Sequence, residues 1–107
     1  LAPNHPNLLP AGWDAASVGP RHVAKPILAR EGANITIVED GEETGRSAGP
    51  YTSPLVYQAL YDLPEYDGAY PVLGVWTVGG EAAGLGIREG SRITGDEARF
   101  VPHIIEG

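Results

Sequence analysis

Alternating apolar and polar residues predict two extended segments in the first half of the chain. The run Asn34 to Glu39 places two isoleucines on one face and a threonine and a valine on the other, which is the period of a strand. His22 to Lys25 is a second short extended run. It ends at Pro26, because the residue before a proline is biased away from the helical region. We therefore expect Lys25 at a strand end and Pro26 to Ala33 as the connection to the next strand.

The clearest pattern in the second half is a hairpin in which Gly79-Gly80 joins two apolar runs, Tyr70 to Val78 and Glu81 to Arg88. Two glycines supply the positive φ angles of a two-residue turn, and the turn fixes the register. On one side, expected to be core, the predicted facing pairs are Val78 with Glu81, Trp76 with Ala83, Gly74 with Leu85 and Val72 with Ile87. On the other side the predicted row comprises Leu73, Val75 and Thr77 opposite Gly86, Gly84 and Ala82, with Arg88 at its end. Glycines inside strands often mark close approach by a ligand or by another backbone, so the pattern leaves Arg88 as either a ligand contact or a solvated strand end.

The remaining segments give weaker patterns. Val56 to Leu63 fits either strand or helical spacing, and its β-branched and aromatic residues favour a strand. Glu39 to Pro50 is acidic and contains glycine, which is typical of a solvated loop without chemistry. Four prolines in the first twenty residues predict an irregular lead-in over 1–20, followed by one domain over 21–107. The predicted fold class is α+β, dominated by antiparallel strands and hairpins, and the shape of residues 91–107 stays open.

Composition narrows the function classes. The net charge of −7 argues against nucleic-acid binding, which concentrates Lys and Arg on one surface. The chain has no cysteine, so disulfides and Cys-ligated zinc are excluded and the cytoplasm is the expected compartment. No apolar stretch approaches about 20 residues and no signal peptide opens the chain, so we expect no membrane contact. Because the sequence begins at Leu1 and contains no Met, we expect a fragment of a longer chain.

Lys25 and the loop after it are the candidate for phosphate binding. A strand-end ammonium is a point charge, Arg30 offers a fork of donors, and Gly32 and Ala33 allow backbone N–H groups to turn toward an anion. A solvated turn is the commoner explanation for an isolated Lys followed by Pro and a Gly loop. Walker-type loops and the GxGxxG, HExxH and GxSxG motifs are absent. The three histidines lack metal-ligand spacing and the acidic residues of the Glu39 to Pro50 loop are explained by solvation, so no metal site is assigned to this segment.

Several stretches resemble one enzyme family. They are, in order, Pro3-Asn4-His5-Pro6, Lys25-Pro26, Arg30-Glu31-Gly32-Ala33-Asn34-Ile35, Val56-Tyr57-Gln58, Gly74-Val75-Trp76-Thr77-Val78-Gly79-Gly80, Gly84-Leu85-Gly86-Ile87-Arg88-Glu89 and Arg99-Phe100-Val101-Pro102-His103. Over nearly the whole chain, these stretches resemble the C-terminal part of glutathionylspermidine synthase-like ligases of the ATP-grasp kind. The resemblance implies a partial ATP-grasp domain of a carbon–nitrogen ligase. In such an enzyme ATP phosphorylates a substrate carboxylate, and an amine then attacks the acyl phosphate to form an amide.

The resemblance also implies a role for individual residues. Lys25 would contact the nucleotide phosphates, beneath a covering loop that contains Arg30, Glu31 and Gly32, and Arg88 would be the catalytic residue that stabilises the transferred phosphate. The run Gln58-Ala59-Leu60-Tyr61 matches the strand and hinge that hold adenine. The ligands of Mg²⁺ and most of the pocket for the carboxylate and amine would lie upstream, in the rest of the same chain. Because phosphoryl transfer depends on positioning and cationic stabilisation, we expect Lys25 and Arg88 to act on the same phosphate chain.

Two other hypotheses stay open at this stage. The chain could be a small β-rich binding or regulatory module without catalysis, in which Lys25 and Arg88 are ordinary surface charges. It could also be a stand-alone nucleotide-binding protein that retains half of such an enzyme. Whether the segment folds or binds ATP by itself, and its oligomeric state, do not follow from the sequence.

Overall fold

The computed structural model describes residues 5–107 and divides into two units, Leu1–Asp62 and Leu63–Gly107. Regular structure in the described residues is antiparallel strand, apart from a single 3₁₀ turn at Ala15–Ser17. The predicted strands and hairpins are confirmed, but the helical part of the α+β class is wrong and the fold is mainly β. The physical reason is that 15 glycines and 10 prolines interrupt the chain before a helix of several turns can form. The predicted division at residue 20 stays a prediction, and Pro3 and Asn4 lie outside the described residues.

The N-terminal unit, Leu1–Asp62, contains a five-stranded antiparallel sheet in the order β1-β5-β2-β3-β4. Its strands are β1 (Ala11–Gly12), β2 (Arg21–Pro26), β3 (Thr36–Glu39), β4 (Glu42–Arg46) and β5 (Leu55–Ala59). The three strands predicted in this unit are confirmed in type, with shorter bounds for β3 and β5. β2 is central, and it pairs with β5 on one side and with β3 on the other.

Burial alternates along β2 and shows which face Lys25 occupies. His22 and Ala24 are buried on one face of β2. Val23 and Lys25 point to the opposite face and are half-buried. Ile37, which is only 3% exposed, is the direct partner of Val23 on β3. Directly paired residues share a face of the sheet, so Lys25 lies on the same face as the most buried isoleucine of the unit.

The segment predicted as a solvated loop, Glu39 to Pro50, contains strand β4, and the prediction is wrong for that part. Asp40 and Gly41 have φ angles of 53° and 87° and form the two-residue turn between β3 and β4. Asp-Gly is among the preferred pairs for this turn because both central residues need positive φ. β4 is polar because it is an edge strand of the sheet. Its Gly45 packs against the isoleucine core, since an added Cβ would lie 3.1 Å from Cδ1 of Ile37.

The C-terminal unit, Leu63–Gly107, contains a three-stranded antiparallel sheet in the order β6-β7-β8. Its strands are β6 (Tyr70–Val78), β7 (Glu81–Gly90) and β8 (Arg99–Val101). Gly79 and Gly80 have φ angles of 60° and 86°, which confirms the predicted turn. β8 lies in the tail whose shape the sequence left open.

The register of the β6–β7 hairpin departs from the prediction after two pairs. Val78 faces Glu81 and Thr77 faces Ala82 as predicted, but Trp76 faces Gly84 because Ala83 is an extra residue in a β-bulge. The later pairs are therefore shifted by one residue: Val75 with Leu85, Gly74 with Gly86, Leu73 with Ile87 and Val72 with Arg88. Side chains alternate with a period of two, so this shift moves Arg88 to the opposite face from the predicted one.

The predicted core side of this hairpin is also wrong. Trp76 and Val78, expected to be buried, are 72% and 71% exposed. Leu73 and Val75 on the other face are 62% and 63% exposed. Within residues 63–107 no side chain is buried, so neither face of the three-stranded sheet is covered inside this unit.

Candidate functional site

A direct hydrogen bond joins two residues to which the family resemblance assigned nucleotide contacts. Nζ of Lys25 donates to Oε1 of Gln58 at 2.7 Å, although the two residues are 33 positions apart in the chain. The contact follows from the β2–β5 ladder, in which Gln58 is the partner of Val23 and thus shares the Lys25 face. An ammonium has three donors, so this bond fixes its position and leaves further donors for another acceptor.

The loop after Lys25 encloses a cleft of about 180 Å³. The lining residues are Lys25, Pro26, Ala29, Arg30, Glu31, Gly32, Ala33 and Ile35. We call this the Lys25 cleft. It brings together every residue that was predicted to contact phosphate in the first half of the chain.

The backbone of the loop turns sharply at the cleft. Glu31 and Gly32 have φ angles of 58° and 69°, and Asn34 has a φ angle of 56°. The N–H of Ala33 donates to the carbonyl of Arg30 at 3.1 Å, which closes the turn. Turns of this kind direct successive N–H groups toward one concave side, where an anion can be bound.

Polar side chains from outside the loop hold it in this shape. Asn34 donates through Nδ2 to the carbonyl of Gly49 at 2.9 Å, and its Oδ1 accepts from the N–H of Tyr51 at 2.8 Å. Oγ of Ser47 donates to the carbonyl of Gly32 at 2.5 Å and accepts from the N–H of Ile35 at 2.9 Å. A side chain at Gly49 would collide with Asn34, since its Cβ would lie 2.4 Å from Oδ1. The loop is therefore fixed at its C-terminal end.

The supporting roles of these residues were not predicted from the sequence. Ser47, Gly49 and Tyr51 lie 12 to 17 positions from the groups that they contact. Asn34 was named as the first residue of a predicted strand and as part of a family-like stretch, with no role in holding the loop. The one local signal was the Ser and Gly content of the connection between β4 and β5, which is equally typical of an unattached loop.

The predicted adenine segment lies along and just beyond β5. The N–H groups of Ala59 and Leu60 donate within the unit, to the carbonyls of Pro10 and Arg21 at 2.9 and 3.0 Å. Tyr61 follows the strand and is 65% exposed. Tyr61 is thus the most accessible member of the predicted run.

Arg88 lies in the C-terminal unit, on the central strand β7. It is exposed, and it lines an open trough of about 460 Å³ on one face of the sheet. The lining residues are Val72, Gly74, Val75, Trp76, Gly86, Arg88 and Phe100. We call this the Arg88 trough.

The basic residues divide into two groups by their partners. The chain has 7 basic and 14 acidic residues, so carboxylates are abundant. Arg21, Arg46 and Arg99 form ion pairs, and Arg92 has an interaction as well. Lys25, Arg30 and Arg88 form no ion pair with a carboxylate of residues 5–107.

The ion pairs shift pKa values in the expected directions. Hydrogen bonds to Asp62 and then to Glu39 raise the pKa of Arg21. The Arg46 guanidinium lowers the pKa of the Glu43 carboxyl. These basic groups are committed to carboxylates of the same unit, which leaves them poorly suited to bind an external anion.

The described part of the chain lacks two further features. Residues 5–107 contain no group of three or more His, Asp or Glu side chains that could hold a metal ion. Within the same residues, no helix has the length and apolar character needed to cross a membrane.

Three curated relatives are similar to this chain in sequence. A Haemophilus influenzae protein named as an acid–amine ligase is 40% identical, over 94% of this chain and 28% of the relative. Trypanothione synthetase of Crithidia fasciculata is 37% identical, over 92% of this chain and 16% of the relative. The bifunctional glutathionylspermidine synthetase/amidase of Escherichia coli is 32% identical, over 94% of this chain and 16% of the relative. The chain thus spans less than a third of the length of these relatives.

A family model matches almost the entire chain. It is described as glutathionylspermidine synthase preATP-grasp and covers residues 1–106. The resemblance to glutathionylspermidine synthase-like ligases is confirmed. The expected C-terminal position is corrected, because a preATP-grasp segment is by its description the part that precedes the ATP-grasp portion. The chain belongs to the glutathionylspermidine synthase preATP-grasp family of ligases.

Proposed function

We propose that this segment provides phosphate-binding groups to a full-length ATP-dependent ligase that joins a carboxylate to an amine. The observation that supports this most strongly is the division of its basic residues. In a chain with twice as many acidic as basic residues, Lys25 and Arg30 line one cleft and Arg88 lines a trough, and none of the three has a carboxylate partner within residues 5–107. Unpaired basic groups beside open clefts suit an anionic ligand.

The proposed reaction has two steps. A carboxylate oxygen of the first substrate attacks the γ-phosphorus of ATP, the bond to the β–γ bridging oxygen breaks, and ADP leaves. The amine nitrogen then attacks the acyl carbon, the carbon–oxygen bond breaks, and phosphate leaves while the nitrogen loses a proton. The product is an amide, as the names glutathionylspermidine synthetase and acid–amine ligase of the relatives would require.

In this proposal the Lys25 cleft binds the phosphates of ATP. Lys25 is held by Gln58 and supplies a fixed positive charge, and Arg30 supplies a second charge with directional donors. The backbone at Glu31 and Gly32 covers the phosphates through its N–H groups. The segment Gln58 to Tyr61 contributes to the adenine side of the same nucleotide.

Arg88 has the catalytic role in this proposal. A guanidinium stabilises the charge that develops on the transferred phosphoryl group, which is the main requirement of such a reaction. Lys25 and Arg88 therefore differ in function. Lys25 binds the nucleotide in the ground state, whereas Arg88 acts when the phosphoryl group moves.

Mg²⁺ is the metal expected in such a reaction, where it neutralises phosphate charge. Residues 5–107 contain no group of three or more His, Asp or Glu side chains that could hold a metal ion. We propose that the ligands of Mg²⁺ lie on other segments of the full-length protein, together with most of the carboxylate and amine pockets.

The test uses the full-length protein, with glutathione as carboxylate, spermidine as amine, and amine-dependent ADP formation as the readout at ATP near its KM. We expect Lys25→Ala and Arg88→Ala each to lose most of this activity. Arg46→Ala and Arg99→Ala are matched controls, because each removes an exposed arginine that is already paired in the same unit, and both should retain activity. Equal turnover in all four variants would instead support a binding module without catalysis.

A further inference from the structure

Two basic side chains of strand β2 hold the segment Gln58 to Asp62 at its two ends. Side chains alternate along β2, so Arg21 and Lys25 lie on the same face of the sheet. Lys25 donates to Gln58 at the start of the segment, at 2.7 Å. Nη2 of Arg21 donates to both carboxylate oxygens of Asp62 at its end, at 2.7 and 3.0 Å. Lys25 already has a role in the proposed function, whereas Arg21 has none.

A second carboxylate fixes the orientation of the Arg21 guanidinium. Glu39 on β3 is the direct cross-strand partner of Arg21, and its Oε1 accepts from the same Nη2 at 2.9 Å. The side chain of Glu39 is 22% exposed, whereas that of Asp62 is 62% exposed. The better-covered carboxylate therefore anchors the guanidinium to the sheet, and the guanidinium holds the more exposed one. A network of three charges contributes more than an isolated surface ion pair does.

The backbone of Arg21 holds the same segment at a second point. Strand β5 ends at Ala59, and the N–H of Leu60 just beyond it donates to the carbonyl of Arg21 at 3.0 Å. Arg21 thus contacts the neighbours of Tyr61 on both sides, with its carbonyl on one and its guanidinium on the other. These two attachments restrict the backbone angles of Tyr61, whose side chain is 65% exposed and open to a ligand.

We propose that Arg21 is a positioning residue for the nucleotide, because it fixes the turn after β5 and thereby the place of Tyr61 against the base of ATP. This inference rests on the proposed function, in which Gln58 to Tyr61 contribute to the adenine side of the site. The guanidinium is paired with two carboxylates, so it acts through the segment and does not bind the nucleotide itself. A segment that is ordered before the ligand arrives loses less conformational entropy on binding.

The test is a double-mutant cycle in the full-length protein, with the KM for ATP as the main readout. Arg21→Met keeps the aliphatic stem and removes the charge, and Asp62→Ala removes the partner. Each should raise the KM for ATP about three- to fivefold, with kcat and the KM for glutathione within about twofold of the unmodified protein. In the double variant the rise should be clearly less than the product of the two single rises, because both changes break the same contact.

Two further variants complete the test. Arg46→Met is the matched control, because it removes an exposed arginine of the same unit that is also paired with a carboxylate, and it should leave all three constants unchanged. Arg21→Lys keeps the positive charge without the fork of donors, so its KM for ATP should lie between those of the unmodified protein and Arg21→Met. Arg21→Lys also keeps the test decisive if Arg21→Met does not fold.

Several results would overturn this role. One is an unchanged KM for ATP in Arg21→Met while Lys25→Ala raises it, which would leave the phosphate site intact. Another is a double variant whose rise equals the product of the single rises, because the two side chains would then act independently. A third is a lower kcat or a higher KM for both substrates, together with earlier thermal unfolding, which would show a general loosening of the sheet. Failure of the ligase function itself is distinct, since the unmodified protein would then form no ADP in response to glutathione and spermidine.

Discussion

The Lys25 cleft and the Arg88 trough each contain a basic side chain, but they are formed by different parts of the backbone. The cleft is formed by the backbone of one loop, which side chains such as Asn34 and Ser47 hold in place. The trough is formed across neighbouring strands. The side chain of Trp76 lines it, and the lack of a side chain at Gly86 leaves space in it. The cleft is small and suited to a polyphosphate, whereas the trough is larger and flanked by aromatic rings. Under the proposed function, we therefore expect mutations to alter ATP binding and phosphoryl transfer separately.

The two units also differ in the number of side chains that they bury. The N-terminal unit buries Ile37 on the Lys25 face of its sheet and Ala24 on the other face, and the sheet positions Lys25 directly. The C-terminal unit buries no side chain in residues 63–107. We therefore expect the geometry of the Lys25 cleft to depend mainly on its own unit. We expect the geometry of the trough to depend more on contacts from outside its own unit.

The largest expected effect separates catalysis from binding. Arg88→Ala should lower kcat by about 10²- to 10³-fold, the range found when one group that stabilises transition-state charge is removed, and should change the KM for ATP little. Lys25→Ala should act mainly by raising the KM for ATP. Steady-state kinetics over a range of ATP concentrations measures both. Arg88→Ala acting on KM alone would contradict the division of roles.

A smaller effect on the KM for ATP is expected when hydrogen bonds that hold the loop are removed and its charged residues are left unchanged. Asn34→Ala removes two hydrogen bonds that hold the Lys25 cleft, so the KM for ATP should rise by up to about 30-fold at a typical net value of about 1 kcal/mol for each bond. Ser53→Ala is a graded control, since it removes one bond, to the N–H of Leu28 at the other end of the loop. The KM for glutathione should not change in either variant. A change confined to glutathione would assign the loop to the other substrate.

The smallest expected effect concerns the partner of Lys25. Gln58→Ala removes a neutral acceptor and should raise the KM for ATP about threefold, whereas Gln58→Glu should raise it more. The carboxylate of the second variant pairs with the ammonium and repels phosphate. The comparison is made at constant ionic strength because exposed ion pairs are screened by salt. Tighter ATP binding in Gln58→Glu than in Gln58→Ala would contradict phosphate binding by Lys25.

The sequence predicted the residues of the Lys25 cleft better than those of the trough, for a physical reason. Lys25 to Ala33 is contiguous, and the effects of Pro26 and Gly32 on the backbone are local. The hydrogen bonds that hold the loop connect distant polar residues, so no local pattern reveals them. Asp40-Gly41 was a usable hairpin signal, but the polar residues of β4 gave no hydrophobic alternation to support it.

For the trough, the sequence identified Arg88 and the strand glycines but assigned them to the wrong face. The Gly79-Gly80 turn was predicted correctly, and the first two pairs of the register followed from it. The bulge at Ala83 adjoins Gly84, and a glycine inside a strand can mark either a bulge or the close approach of a ligand, of which only the second was predicted. One inserted residue was enough to exchange the faces of every later position.

The most direct measurement is hydrogen exchange of the loop amides in the full-length protein, with and without ATP. Binding of the phosphates by the Lys25 cleft predicts slower exchange of the segment containing Glu31, Gly32 and Ala33 when ATP is added, and a much weaker change in Lys25→Ala. The N–H groups of β4, outside the cleft, serve as an internal reference. Unchanged exchange in the Glu31 to Ala33 segment at saturating ATP, in a protein that still forms ADP, would contradict nucleotide binding by this cleft.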